Sequence, residues 1–351
     1  MTERCKQETF LVQIGNRKEE HFRAVSTPIY FSTAFRHEEI GLQDGYDYIR
    51  TGNPTRDVLE EAVAKLENGD EAFATSSGMA AVQLVFSLFE QGSHFISSRD
   101  IYGGNYRLFE VFEERYGFQF TYWDGTDYDE LDKFVRPNTK AIFIESPTNP
   151  LLHTVDLKEI SEFTKKHGIL HIVDNTLFTP YIQRPLEDGA DIVIHSATKY
   201  LAGHNDVLAG LVIAKGEDLC DQLSFMHNSI GAVLAPYDSW SLIRGMKTLA
   251  LRMRQHEYNA KQVIAYLNEH PMVTKTYYPG RSGMLSFEII DEKLVSPFLK
   301  ALKLFTFAES LGGVESFLTY PATQTHMDIP QEVREKYGLS NRLLRASIGV
   351  E

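Results

Sequence analysis

Two short segments hold the residues best suited to chemistry. The first, His195-Ser196-Ala197-Thr198-Lys199-Tyr200, follows an apolar run, Asp191–Ile194, that reads as a buried strand. A lysine just past the carboxyl end of a buried strand stands where open α/β sheets bind ligands. Desolvation there lowers an ammonium's pKa and leaves an amine able to act as a nucleophile. Ser196 and Thr198 flank Lys199 with hydroxyls suited to a phosphate oxygen. The second segment, Leu170–Asn175, carries Asp174 at the end of another apolar run, 25 residues before Lys199. That gap fits one crossover between parallel strands, so the two side chains can project from nearby strand ends. Taken singly, each has an ordinary reading, as a solvated lysine and a loop-capping aspartate. Together they match what pyridoxal 5′-phosphate (PLP) chemistry requires, a Schiff-base lysine and an acid that keeps the pyridine nitrogen protonated.

A phosphate cradle should accompany such a pair. Thr75-Ser76-Ser77-Gly78-Met79-Ala80-Ala81 supplies small residues before a predicted helix, where Gly78 permits close backbone approach and the helix N-terminus favours an anion. Other templates fail. The sequence contains neither G-x-G-x-x-G nor G-x-x-x-x-G-K-[ST], and no H-E-x-x-H. His167 and His171 are four apart, but Gly168 and the strand start near Leu170 break helical facing, so they are not expected to ligate a metal.

The elements that must position these residues alternate. Helices are expected at 56–68, 80–89 and 157–166, and strands at 94–97, 118–123, 141–145, 170–174, 191–196 and 210–214. This alternation implies a mostly parallel sheet covered on both faces. After about Pro236 the pattern changes to a long helix at 237–268, broken near Gly245, a strand at 283–290 and a helix at 296–302, which suits a smaller α+β domain. The first 45 residues contain Pro28, Tyr30, Phe31 and Phe35 with few helical periods, and read as an extended arm. The expected division is an arm at 1–48, a PLP-binding α/β domain at 49–236 and an α+β domain at 237–351.

The 351-residue chain is 43% hydrophobic with a formal net charge of −13, which argues against broad binding to nucleic acid or anionic membranes. Its two cysteines, Cys5 and Cys220, are too few for a disulfide framework. No apolar run approaches the roughly 20 residues needed to span a bilayer, and the first ten residues lack the apolar core of a signal peptide. A cytoplasmic location is expected.

The motifs HSATKYLAGHND (195–206), YIRTGNPTRDVLEEAVAKLENGDEAFATSSGMAA (48–81), ESPTNPLL (145–152), IVDNT (172–176) and AESLGGVESF (308–317) occur in one order. In this order they resemble the Cys/Met-metabolism PLP-dependent enzymes, the cystathionine γ-synthase group of the aspartate-aminotransferase-like fold (fold type I). The resemblance runs from about Gln13 to Glu351 and is nearest to the bacterial cystathionine γ-synthase/O-acetylhomoserine thiol-lyases. It implies PLP on Lys199, Asp174 at the pyridine nitrogen, and Tyr102 stacked on the ring and assisting proton transfer. Gly78, Met79, Ser196 and Thr198 would hold the phosphate, and Asn149 would lie near the ring oxygen. Tyr48 and Arg50 would reach the phosphate of a neighbouring subunit, giving shared sites in a dimer of dimers. Arg345 would clamp the substrate α-carboxylate with help from Ser310, while Glu309 and Arg107 would face the distal end of an amino-acid substrate.

The implied reaction is γ-replacement on an activated homoserine ester by cysteine or sulfide. Gly104, where methionine γ-lyases place Cys, and Glu309 both favour γ-chemistry. Cystathionine γ-lyase or β-lyase activity remains the alternative, and a catalytically silent PLP-binding protein is a reading from another class. Departures from the family pattern include Thr51 in place of a second arginine, Leu177 in place of an aromatic, and a short 279–283 connection. Relatives continue past the position of Glu351 into a final helix, so a shortened C-terminal end is expected.

Overall fold

A computed structural model describes residues 6–41 and 45–351, so Cys5 lies outside the described residues. Seven strands form the larger sheet: β1 (Glu71–Thr75), β2 (His94–Ser98), β3 (Gln119–Trp123), β4 (Thr139–Glu145), β5 (Leu170–Asp174), β6 (Ile192–Ser196) and β7 (Gly210–Ala214). Five form the second: β8 (Val273–Tyr277), β9 (Met284–Ile289), β10 (Thr306–Phe307), β11 (Phe317–Thr319) and β12 (Leu343–Ser347). The helices are α1 (Gln7–Val12), α2 (Pro54–Glu67), α3 (Gly78–Phe86), α4 (Gly103–Tyr116), α5 (Leu131–Phe134), α6 (Leu157–His167), α7 (Thr179–Ile182), α8 (Glu217–Ile230), α9 (Pro236–Met246), α10 (Leu249–Glu269), α11 (Val295–Ala301) and α12 (Gln331–Lys336). Among the described residues no helix is long and apolar enough to cross a membrane.

The larger sheet runs β1-β7-β6-β5-β4-β2-β3. The β3, β2, β4, β5 and β6 strands are mutually parallel, while β7 is antiparallel to both β6 and β1. Apolar side chains leave both faces: Val173, Val193 and Ile213 enter one core, and Ile172, Ile192 and Val212 the other. Burial on both faces is why these strands read as continuous apolar runs in the sequence. The second core gathers Phe86, Phe95, Phe109, Phe112 and Phe143 under α3 and α4.

Local chemistry sets the element ends. Asn53 caps α2 by accepting from the Thr55 and Arg56 amides, and Pro54 occupies the first turn, so this helix begins two residues before its expected start. Ser77 accepts from the Ala80 amide and starts α3 at Gly78. The expected long helix is two, α9 and α10, parted just after Gly245. A Cβ on Gly245 would come 2.2 Å from the Ala202 carbonyl, so this glycine allows the helix to approach the segment that follows Lys199. The sequence reading omitted β1, which pairs with a strand far away in the chain, and the expected N-terminal arm carries the short helix α1.

The second sheet runs β10-β11-β12-β9-β8, with β12 antiparallel to β11 and β9. It meets the larger sheet's loops directly, since the Ser286 hydroxyl donates to the Pro150 carbonyl at 2.7 Å. Arg345 therefore lies on an interior strand that faces the ends of the larger sheet.

Candidate active site

Because β7 is antiparallel to both neighbours, β1 points the same way as β6, and the carboxyl ends of β1, β4, β5 and β6 share one edge. A cleft of about 180 Å³ opens there. Its walls include Lys199, Asp174, Tyr102, Gly78, Met79, Asn149, Ser196, Thr198, Glu309, Ser310 and Arg345.

Lys199 sits on a turn leaving β6, with its amide donating to the Ser196 carbonyl at 3.2 Å. Arg252 of α10 braces this turn by donating to the Tyr200 carbonyl at 2.7 Å. Gly312 has φ of +77°, and a Cβ there would come 2.6 Å from the Tyr200 nitrogen, so only glycine lets the 310–313 segment lie against the lysine turn. Burial, and then the charge of Arg345, lower the Lys199 pKa to about 8, while Glu309 opposes the shift. The amine is therefore much closer to neutrality than a surface lysine.

Asp174 and Glu145 end adjacent parallel strands and are paired in register. Asp174 accepts from the Thr176 amide at 3.0 Å, and burial raises its pKa. Glu145 is held well above the carboxylate range by burial and by the neighbouring Asp174, and it accepts from the Tyr102 amide at 3.0 Å. That bond fixes the start of α4. The Tyr102 ring folds back over its own helix, where a Cβ on Gly104 would come 2.4 Å from ring carbon Cε1.

Arg345 is 2% exposed. One Nη donates to Asn149 Oδ1 at 2.8 Å, and the other reaches the Ser310 carbonyl and the Thr319 hydroxyl at 3.2 and 3.1 Å. Its Nε is buried without a partner, a donor left for something in the cleft. Burial lowers its pKa to about 10, so the guanidinium stays charged at neutral pH.

A family model described as Cys/Met metabolism PLP-dependent enzyme matches residues 8–351. The chain belongs to that family. A cystathionine gamma-synthase/O-acetylhomoserine (thiol)-lyase of Bacillus subtilis (strain 168) is 59% identical over 344 residues, covering 98% of this chain and 92% of the relative. The solved structure of a Xanthomonas oryzae pv. oryzae cystathionine gamma synthase in complex with cystathionine superposes with a TM-score of 0.96 at 40% identity, covering 99% of this chain and 95% of that one. A Lactobacillus plantarum cystathionine gamma-lyase complexed with L-serine gives a TM-score of 0.95 at 43% identity, with the same coverage. Synthase and lyase thus share one fold, and the fold does not separate them.

The cofactor of this Cys/Met metabolism PLP-dependent enzyme is PLP, and the residues of the cleft fit it. The first turn of α3 lies so close to β6 that a Cβ on Gly78 would come 2.8 Å from Ser196 Cβ, filling an anion cradle made of helix amides and a hydroxyl. Asp174 is a half-buried carboxylate lining the cleft, suited to a protonated ring nitrogen, and Lys199 is a half-buried amine of lowered pKa.

Three expected residues lie elsewhere. Tyr48 and Arg50 stand outside the cleft of their own chain; Arg50 donates to the Asn228 carbonyl at 2.6 Å and to the Asn228 side chain. Arg107 does not line the cleft and forms an exposed ion pair with Asp328 at 2.7 Å. His167 bonds Asp132 at 2.7 Å, whereas His171 is buried within β5. The sequence reading passed over Glu145, Asn105, Thr176 and Thr325, all of which line the cleft. Of these only Glu145 carried a readable signal, as the acidic end of a predicted strand.

Proposed function

We propose that this chain catalyses γ-replacement, in which cysteine or sulfide displaces the acyl group from an activated homoserine ester to give cystathionine or homocysteine. The observation that carries this reading is the 59% identity to the Bacillus subtilis cystathionine gamma-synthase/O-acetylhomoserine (thiol)-lyase across 98% of the chain. PLP, when bound, supplies the electron sink that makes protons on the substrate carbons acidic.

The chain's own residues do the rest. Lys199 Nζ holds the cofactor and then carries protons to and from the substrate's α carbon, a task suited to an amine of pKa about 8. Asp174 keeps a proton on the pyridine nitrogen. The amides of Gly78 and Met79, with the Ser196 and Thr198 hydroxyls, hold the phosphate. Tyr102 and Asn149, which line the cleft, would cover the ring and lie near its oxygen. Arg345 takes the substrate α-carboxylate through its free Nε, with Ser310 beside it. A side chain at position 104 would displace the Tyr102 ring, so Gly104 supports this reading over methionine γ-elimination. Glu309, exposed at the mouth of the cleft, suits the amino group of a distal amino acid.

The assembly we propose is a homotetramer, a dimer of dimers in which Tyr48 and Arg50 serve a neighbouring subunit's phosphate. Two features support it. Both side chains are solvent-exposed on their own chain. Leu208 lines the cleft yet is 62% exposed, so the rim of the site offers apolar surface to a second chain.

A lyase reading is supported by the Lactobacillus plantarum superposition and by lyase relatives at lower identity, 47% for a cystathionine gamma-lyase of Bacillus subtilis (strain 168). Product identity separates the two. PLP-loaded protein mixed with O-acetylhomoserine and cysteine is expected to yield cystathionine by mass spectrometry, and cystathionine alone is expected to give little keto acid. Rapid 2-oxobutyrate or pyruvate from cystathionine, without synthesis, would make the enzyme a lyase.

A further inference from the structure

His326 has no place in the mechanism above, yet it is fully buried among the residues that form the cleft. Its Nε2 lies 2.9 Å from the Asn149 carbonyl and 3.1 Å from the Ile101 carbonyl. Both partners are acceptors, so Nε2 must carry the proton. Burial, and then the charge of Arg345, push the ring's pKa down to about 4, so the imidazole is neutral. A neutral ring protonated at Nε2 has an acceptor at Nδ1, and the Thr325 hydroxyl stands 2.7 Å from it. Thr325 therefore gives its single proton to His326 and keeps lone pairs for the cleft that it lines. The backbone leaves little freedom here, because a Cβ on Gly103 would come 2.0 Å from the Thr325 carbonyl. Ile101 immediately precedes Tyr102, and Asn149 is the residue that Arg345 grips. One imidazole thus joins three segments far apart in sequence. An apolar ring of the same size would fill the space but leave two buried carbonyls without this donor.

We infer that His326 is a positioning residue for the reaction: a neutral, Nε2-protonated imidazole that ties the Tyr102 loop to the Asn149 loop and presents the Thr325 hydroxyl to the cleft as an acceptor. The inference deepens the function proposed above and rests on it for the kinetic readout.

The test compares His326→Gln with His326→Asn in the PLP-loaded enzyme. The Gln amide nitrogen can take the place of Nε2, whereas Asn is too short to reach both carbonyls. The Asn variant is expected to lose about 10- to 100-fold in kcat, the scale of a misplacement of about 1 Å. Its KM is expected to change much less, and the visible circular-dichroism band of its bound cofactor to weaken. The Gln variant is expected to stay within a few-fold of wild type by both readouts. Wild-type kcat and an unchanged band in His326→Asn, with a loss confined to Tm, would leave His326 a structural residue and overturn the inference. Equal impairment of the two variants would overturn the donor assignment. If His326→Asn does not fold, Thr325→Val, which keeps the shape and removes the hydroxyl, is expected to lower kcat similarly, and a wild-type kcat there would overturn the inference. The cofactor band needs no substrate. Failure of the wild type to make cystathionine would therefore strike the proposed function, while the band comparison still decides the role of His326.

Discussion

At the residue scale, the lowered pKa of Lys199 makes a prediction with a definite sign. The neutral amine is the form that captures PLP, and its fraction rises with pH until the pKa of about 8 is passed. The rate at which cofactor-free protein forms a borohydride-trappable link to PLP is expected to climb through pH 8 and level above it. A curve that keeps climbing toward the ordinary lysine pKa of about 10.4 would mean that burial does not tune this amine. Arg345→Lys is a second test. Lysine keeps the charge but not the planar fork that holds Asn149, Ser310 and a carboxylate together. A lost charge-assisted hydrogen bond of about 1.5–3 kcal/mol predicts a rise in KM for the amino-acid substrate of roughly 10- to 100-fold, measured by steady-state kinetics. Asp174 was legible because it ends an apolar run, and Lys199 because it stands a few residues past one. Arg345 lies inside one, on β12, and nothing in its spacing marked it; only the resemblance of its motif did. His326 and Thr325 carried no signal, because their roles depend on carbonyls more than a hundred residues away in the chain.

At the element scale, the site depends on close approaches at glycine. Gly103 opens α4 against the 325–326 segment, and Gly103→Ala would set a methyl 2.0 Å from a backbone oxygen. Backbone on both sides leaves no flexible side chain to yield, so a loss of stability of about 1–3 kcal/mol is expected, read as a lowered Tm, together with reduced turnover. An unchanged Tm would show that the segment shifts freely. The strand runs of the parallel sheet were visible as uninterrupted apolar stretches. By contrast β1 was not, since Glu71–Thr75 holds one large apolar residue, Phe73, between two alanines, and its partner β7 lies more than a hundred residues later. Yet β1 delivers the Ser77–Gly78 turn to the site. Helix starts moved by two residues where caps intervened, and the break between α9 and α10 fell close to the expected glycine.

At the scale of the whole molecule, the proposed sharing of sites has a direct test. Lys199→Ala lacks the amine but keeps Arg50; Arg50→Ala keeps the amine but lacks the phosphate partner. Each alone is expected to be nearly inactive. If Arg50 serves a neighbouring subunit, co-refolding the two variants creates sites with both groups intact, and part of the activity returns. If Arg50 acts only within its own chain, mixing restores nothing. Exposed Phe22, Phe31 and Phe225, each at least 66% accessible, are the kind of surface that a second chain would cover.

The sequence by itself determined the alternation of elements, the cofactor class and the lysine–aspartate pair, because burial on both faces and strand-end placement leave local, periodic traces. The tertiary structure alone decided which of the remaining polar residues converge. The pairing of Glu145 with Asp174, the grip of Arg345 on Asn149, and the span of His326 across two loops are contacts of high sequence separation. Such contacts follow from strand order and from the docking of the second sheet against the first, and neither is encoded in any single stretch of residues.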